Sequence, residues 1–312
     1  MKRVAFMFPG QGSQAVGMGM EFYDNYPEVK ELFQEANQVL NKDITQIMFE
    51  GPKEKLTETE NAQPALLLSS IAIHSLLLKE EIQPIMTIGH SLGEYSALVA
   101  AGSISLDKAL PLVETRGKLM EEAFPKGQGT MAAVLGLDEK SVQNALKEVS
   151  GEIVDIANLN CPGQIVVSGS KEGIEEAITT LKAHGAKRVL PLNVSGPFHS
   201  RLMKSANVEF AKHLDKVEVR DASIPVYANV SASPVTDNKE IEDLLLKQLY
   251  SPVRFEESIR RMIEQGVDAF VEVGNGKVLS GLVKKIDRSI PAFAVQDIKS
   301  MKDFISWYKE ES

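Results

Sequence analysis

The chain has 312 residues, 43% hydrophobic and 25% charged, with 34 Lys+Arg against 43 Asp+Glu and a net charge of −9. This is too apolar for a disordered chain, and 22 Gly, 14 Pro and a single Cys exclude collagen-like and disulfide-rich scaffolds. The acidic balance argues against a general nucleic-acid or anionic-membrane binder, since its field would repel both.

In chain order, Val4–Phe8 reads as a buried strand closed by Pro9-Gly10, and residues 29–40 as a helix with Val29, Leu32, Phe33, Ala36 and Leu40 on one face. Residues 65–79 form a second helix. Its apolar stretch is broken by Ser69, Ser70, His74 and Ser75, so it reads as a buried helix and not a bilayer span. A second buried strand is expected over 84–88, then helices over 94–101, closed by Gly102, and 106–124, opened by Ser105. Short apolar strands alternating with helices predict an α/β fold, a parallel sheet covered on both faces.

The middle of the chain follows another pattern. A strand over 130–137, a helix over 139–149, strands over 153–159 and 164–168 joined by Asn160-Cys161-Pro162-Gly163, a helix over 171–184 and a strand over 187–194 give β-α-β-β-α-β, the ferredoxin-like order. Turn-rich joints flank it: Gly127 and Gly129 before, Ser195-Gly196-Pro197 after. Residues 126–197 are therefore expected to be a small domain inserted into a larger one made of 1–125 and 198–312, which resumes with strands at 225–230, 269–273 and 291–295. The lone Cys161 and the lack of a secretory pattern near Lys2-Arg3 point to the cytoplasm.

Gly89-His90-Ser91-Leu92-Gly93 lies between an expected strand and an expected helix, the setting that gives G-x-S-x-G its meaning. A sharp turn there lifts a serine oxygen to the helix N-terminus, where the Leu92 N–H can meet an oxyanion. A serine of ordinary pKa needs a base. Of the five histidines, His74 reads as a satisfied core residue, His184 and His213 as helix-surface residues, and His90 should point away from Ser91. His199, in a turn at the domain joint, is the leading candidate, although spacing alone does not separate it from the other four. No acid lies close to it in sequence, so a carbonyl or amide could orient it.

Arg116 sits on the apolar stripe of its helix and must be paired, either to an internal carboxylate or to the carboxylate of a substrate. Gly10-Gln11-Gly12-Ser13-Gln14-Ala15 matches the letters of a dinucleotide loop, but Gly17 and Gly19 follow with no helix to receive a pyrophosphate, and no P-loop Lys is present. It reads better as a backbone-donor loop beside the serine. Between Ala177 and Val208 stand Lys182, Lys187, Arg188, Arg201 and Lys204 and no acid, a local positive rim suited to a phosphate or an acidic partner.

Together, Pro9-Gly10-Gln11-Gly12-Ser13-Gln14, Gly89-His90-Ser91-Leu92-Gly93-Glu94, Arg116, Asn160-Cys161-Pro162-Gly163-Gln164, Gly196-Pro197-Phe198-His199-Ser200 and Gln248-Leu249 with Pro252-Val253 closely resemble the malonyl-CoA–acyl carrier protein transacylases, the acyltransferase family of fatty acid and polyketide synthesis. The resemblance runs in order along essentially the whole chain. It implies an α/β-hydrolase-like domain with a ferredoxin-like insert, and a serine acyltransferase that carries malonyl from coenzyme A to acyl carrier protein in two half-reactions. Ser91 would be acylated, with His199 its base, oriented by the backbone carbonyl of Gln248. The N–H groups of Gln11 and Leu92 would form the oxyanion hole, and Arg116 would bind the malonyl carboxylate. Asn160 and His90 would line the substrate cleft.

The resemblance also implies malonyl-CoA and acyl carrier protein as partners, and the positive rim read from charge places the latter near Lys187, Arg188, Arg201 and Lys204. It implies no metal and no cofactor beyond coenzyme A and phosphopantetheine as substrate parts, and no nucleic-acid or membrane partner; a monomer is expected. Phe198-His199-Ser200 resembles the malonyl-preferring form of its motif. One departure is Gly274-Asn275-Gly276, with Asn where many relatives have Pro, in a loop expected to lie away from the chemistry. The alternatives are a serine hydrolase or thioesterase using the same elbow, an acyltransferase of a polyketide pathway, or a non-catalytic acyl- or nucleotide-binding module.

Overall fold

The computed structural model describes residues 2–310. Ten strands form two sheets: β1 (Val4–Phe8), β2 (Met86–Gly89), β3 (Gly129–Leu135), β4 (Val154–Cys161), β5 (Gln164–Ser170), β6 (Arg188–Pro191), β7 (Val226–Tyr227), β8 (Pro234–Val235), β9 (Ala269–Val273) and β10 (Ala292–Val295). The larger sheet has the order β10-β9-β1-β2-β7-β8, parallel except for the short edge strand β8. Every residue of central β1 is buried. Val4, Phe6 and Phe8 feed the core on one face, Ala5 and Met7 that on the other, as the period of two requires of a strand covered on both sides.

The smaller sheet is antiparallel throughout, in the order β4-β5-β3-β6. All its strands come from one segment of the chain, Gly129–Pro191. With the helices Glu139–Leu146 and Lys171–Ala183 it encloses a core of its own around Val134, Val142, Val167, Ile174 and Leu181. The two joints pack on each other: a Cβ on Gly129 would stand 2.4 Å from Cδ of Pro197. β4 is stitched to the larger unit as well, with Val253 bonded to Ala157 and Leu159 through the backbone. That seam brings Asn160 to His90, just past the C-terminal end of β2.

Several expectations shift. The helix expected from Ala65 begins at Thr59 and runs to Lys79. Pro64 costs one helical hydrogen bond near the N-terminus, but burial on nearly every side outweighs it. This helix is long and apolar enough to cross a membrane, yet it is packed inside the molecule. The expected strand over 225–230 shrinks to Val226–Tyr227, because Ala228 bonds to Ser233 and Ala232 back to Ala228, turning the chain at once. β4 runs on through Cys161, so Pro162-Gly163 alone makes the turn that Asn160 was expected to begin. The helix surface expected for His213 is that of Lys204–Leu214, whereas the helices Asn238–Gln248, Phe255–Glu264, Val278–Ile286 and Ile298–Lys309 were not anticipated.

His74 is buried as expected but is not satisfied. Its ring lies edge-on to Phe6 and Phe8, and Nε2 has no partner. Burial lowers its pKa to about 4. A histidine held neutral binds fewer protons than the unfolded chain below pH 6.5, so stability falls with pH from there down to about 4. Lowering the pH from 7 to 5 should cost wild type about 2 kcal/mol more than His74→Leu, at 1.36 kcal/mol per pH unit over the interval from 6.5 to 5. Urea unfolding of both proteins at the two pH values measures the difference; parallel losses would contradict it.

Candidate active site

At the end of β2 the chain turns sharply through Gly89–Gly93 into the helix Gly93–Ala100. Ser91 stands at the turn with φ 52°, a conformation that costs a non-glycine residue of order 1–3 kcal/mol. The motif's two glycines face each other: a Cβ on Gly89 would lie 1.8 Å from Gly93, and one on Gly93 only 2.0 Å from the Phe8 carbonyl. Any side chain there would push the elbow off the sheet. Asn229, just beyond β7, clamps the strained turn from both sides. Its Oδ1 accepts from Ser91 N at 2.8 Å and its Nδ2 donates to the Gly89 carbonyl at 2.6 Å.

Ser91 Oγ is 2.7 Å from His199 Nε2. On the other side of the ring, Nδ1 is 2.9 Å from the main-chain carbonyl of Gln248. A carbonyl only accepts, so Nδ1 carries the proton and Nε2 offers a lone pair to the serine hydroxyl. His199 also has a positive φ, 58°, and is buried. Burial, then the Arg116 charge and His90, lower its pKa to about 3 against the opposing bond to Gln248, so the ring stays a neutral base.

Arg116, on the helix Leu106–Glu122, is 1% exposed, and no carboxylate touches it. Nη1 donates to Gln63 Oε1 at 2.8 Å; Nη2 donates to Gln248 Oε1 at 2.8 Å and to Ser91 Oγ at 3.2 Å. Nε has no partner, and the guanidinium lies 5.3 Å from the Tyr95 ring. The internal salt bridge considered from sequence is therefore absent among the described residues. What is present is a buried cation held by neutral acceptors, with a donor to spare, beside the serine.

The loop after β1 reaches the elbow closely enough that a Cβ on Gly10 would stand 2.3 Å from the His90 carbonyl. In this loop Ser13 N bonds to Gly10 O and Gly12 N to Gln14, and in the elbow the N–H groups of Gly93, Glu94 and Tyr95 are all taken. The N–H groups of Gln11 and Leu92 meet no acceptor among the described residues. The Gln11 side chain itself turns away, to Thr59 Oγ1. His90 and Asn160 pair with each other, Nε2 to Oδ1 at 2.9 Å, with His90 tilted against Phe255; neither touches Ser91.

Two expectations need correction. Asn275 is not remote: its Nδ2 donates to the Ser13 carbonyl at 2.5 Å and so braces the Gly10–Ala15 loop, a bond no proline could make. Arg201 is not a free cation of the basic rim, because its guanidinium and backbone N–H are bound to Asp155. An acid distant in sequence was invisible to a count of neighbours along the chain. Sequence reasoning also passed over Asn229, Gln63 and Glu94. Polar residues within buried segments carry no periodic signal, and only the tertiary contact reveals them. Among the described residues, no cluster of three or more His, Cys, Asp or Glu could hold a metal ion.

Against known proteins, the acyl transferase domain family matches residues 5–309. The chain is 50% identical over 314 residues to the malonyl CoA-acyl carrier protein transacylase of Bacillus subtilis, covering 100% of this chain and 99% of that protein. It superposes with a TM-score of 0.95 on an acyl carrier protein S-malonyltransferase from Vibrio cholerae, 45% identical, covering 97% of this chain and 100% of that one. The TM-score is also 0.95 on a malonyl-transacylase in complex with a type II PKS acyl-carrier protein, 44% identical, over 98% of this chain and 99% of that one.

Proposed function

We infer, from the premise that this chain belongs to the acyl transferase domain family, that it is an [acyl-carrier-protein] S-malonyltransferase of fatty acid biosynthesis. It moves malonyl from coenzyme A to the phosphopantetheine thiol of acyl carrier protein. The observation that carries the choice of acyl group is Arg116, a buried cation without a carboxylate, whose guanidinium donates to the nucleophile itself. A hydrolase acting on neutral esters has no use for such a group.

In the proposed mechanism Ser91 Oγ attacks the malonyl thioester carbonyl while His199 Nε2 takes its proton. The oxyanion is received by the N–H groups of Gln11 and Leu92, each contributing about 3–4 kcal/mol. The tetrahedral intermediate expels the coenzyme A thiolate, to which His199 returns the proton, leaving malonyl-Ser91. In the second half-reaction His199 deprotonates the phosphopantetheine thiol, which attacks the ester; the proton then passes to Ser91 as it leaves. Gln248 orients the base through its carbonyl and Arg116 through its side chain. His90 and Asn160 brace the cleft wall as a pair. We assign catalysis to residues 1–125 and 198–312, of which Met1, Glu311 and Ser312 lie outside the described residues, and the cleft's other wall to the insert 126–197, supported by its own sheet and core. A cytoplasmic monomer is the state proposed.

Incubation with malonyl-CoA alone, followed by intact mass measurement, tests the reading. The expected result is a malonyl mass gain that is absent in Ser91→Ala and discharged by acyl carrier protein. Rapid coenzyme A release with no retained adduct would favour the hydrolase instead. A polyketide carrier protein serving equally well would leave the chemistry unchanged and widen the pathway.

For the carrier protein, the exposed cations Lys187, Arg188 and Lys204, which bracket His199 along the chain, are the proposed docking rim, without the paired Arg201. Arg188→Glu with Lys204→Glu should raise KM for acyl carrier protein about tenfold, more at low salt, while acylation by malonyl-CoA changes less than about twofold. Steady-state kinetics of the two half-reactions separates these; equal losses in both would remove the rim from docking.

A further inference from the structure

One buried charge takes no part in this mechanism. Glu94, the first residue after the elbow pentapeptide, is 2% exposed, and burial pushes its carboxyl up to about 7, opposed by the Asn229 N–H, Gln248 and the Arg116 charge. A carboxylate in such a place is costly unless it does something an apolar residue could not. Its Oε2 accepts from Asn229 N at 3.0 Å and from Gln248 Nε2 at 2.8 Å. The same amide turns its Oε1 to Arg116 Nη2 at 2.8 Å. Glu94 and Arg116, opposite charges in one interior, are thus joined only through the two ends of the Gln248 side chain.

An amide can be flipped end for end at almost no cost in shape. A flip here would set the NH2 of Gln248 against the guanidinium, donor against donor, and turn its oxygen toward the carboxylate. Gln248 Nε2 has two other acceptors, the Ser91 carbonyl at 3.1 Å and Asn229 Oδ1 at 3.4 Å, but both are neutral and more distant. The nearest acceptor, Glu94 Oε2 at 2.8 Å, makes the strongest of the three bonds. A direct Glu94–Arg116 salt bridge would balance the cation but also occupy the face a substrate carboxylate needs. With an amide between them, no carboxylate covers the guanidinium and the buried Arg116 Nε keeps no partner.

We propose that Glu94 is a positioning residue for acyl-group selection, locking the Gln248 amide so that Arg116 is presented, unneutralised, to the malonyl carboxylate. This rests on the malonyl-transfer reading above. It predicts that reach matters more than charge. In Glu94→Gln an amide oxygen can take the place of Oε2. In Glu94→Asp the charge is kept but the carboxylate stops one methylene short of Gln248.

The test measures acylation of Ser91 by malonyl-CoA and by acetyl-CoA in wild type, Glu94→Gln and Glu94→Asp, with folding checked by circular dichroism. Glu94→Asp should lower the malonyl-to-acetyl ratio about tenfold, through KM for malonyl-CoA, with acetyl transfer within about threefold of wild type. Glu94→Gln should keep the ratio within about threefold. Equal losses with both substrates in Glu94→Asp, or an unchanged ratio, would overturn the proposal, as would a ratio lost in Glu94→Gln and kept in Glu94→Asp. Should Glu94→Asp fail to fold, Glu94→Leu is judged by the same criterion. A wild type without malonyl preference would overturn the functional reading itself, and this shows in the reference measurement before any variant is compared.

Discussion

Arg116→Ala should lower malonyl transfer about a thousandfold and leave acetyl transfer at or above its wild-type rate, inverting the preference. In the free protein the guanidinium holds neutral partners only, Gln63, Gln248 and Ser91. Its Nε is unsatisfied and it is fully buried, so the enzyme carries an uncompensated desolvation cost that a substrate carboxylate relieves. An acetyl group cannot relieve it and so is selected against. Removing the side chain removes both the attraction and the penalty. It also removes the positive charge that lowers the His199 pKa, which makes the ring the stronger base and offsets the loss of the Nη2 donor at Ser91 Oγ. Competition between malonyl-CoA and acetyl-CoA, read by the mass of the acylated protein, measures the inversion. A preserved malonyl preference would show that the carboxylate is recognised elsewhere.

The parts of the molecule legible in sequence share a physical cause. β1, β2 and β9 are short runs buried on both faces, and such runs announce themselves. The insert's β-α-β-β-α-β pattern was readable because each element is short and set off by turn residues, as at Pro162-Gly163; the structure adds N-caps at Asp138 and Ser170, which open its two helices. Ser91 was legible because its strain demands glycines at fixed offsets. Arg116 was conspicuous as a charge on an apolar stripe, but whether it met a carboxylate inside or awaited one from outside was a tertiary question. Asn229 and Glu94, which both hold the elbow, are 135 residues apart and joined by a hydrogen bond from the Asn229 N–H to the Glu94 carboxylate. Nothing local could have paired them. The later helices were missed for a different reason. Phe255–Glu264 buries only Phe255, Ser258, Ile259 and Met262 and leaves charges elsewhere, a pattern that a reading focused on strands and motifs passes over.

The second large effect is on the base. His199→Ala should slow formation of malonyl-Ser91 at least about a thousandfold, leaving what the oxyanion donors and Arg116 supply alone. The pH profile of the wild type identifies the same residue without mutation. Catalysis needs the neutral ring, and a pKa of about 3 keeps it neutral far into acid. An imidazole at its ordinary 6.5 would be about 3% neutral at pH 5 and would cost about thirtyfold in kcat/KM relative to pH 8. With the pKa lowered by burial and by the Arg116 charge, the ring itself should change kcat/KM for malonyl-CoA by less than about twofold over that interval. The Gln248 carbonyl limits how far the ring can be pushed, since it favours the protonated form, but it also fixes the tautomer that points the lone pair at Ser91. Glu94 titrates inside this window, at about 7. A break near pH 7 that disappears in Glu94→Gln therefore belongs to that carboxylate. A break near 6.5 that survives the substitution would mean that the base is more exposed in the working enzyme than its burial beside Arg116 allows.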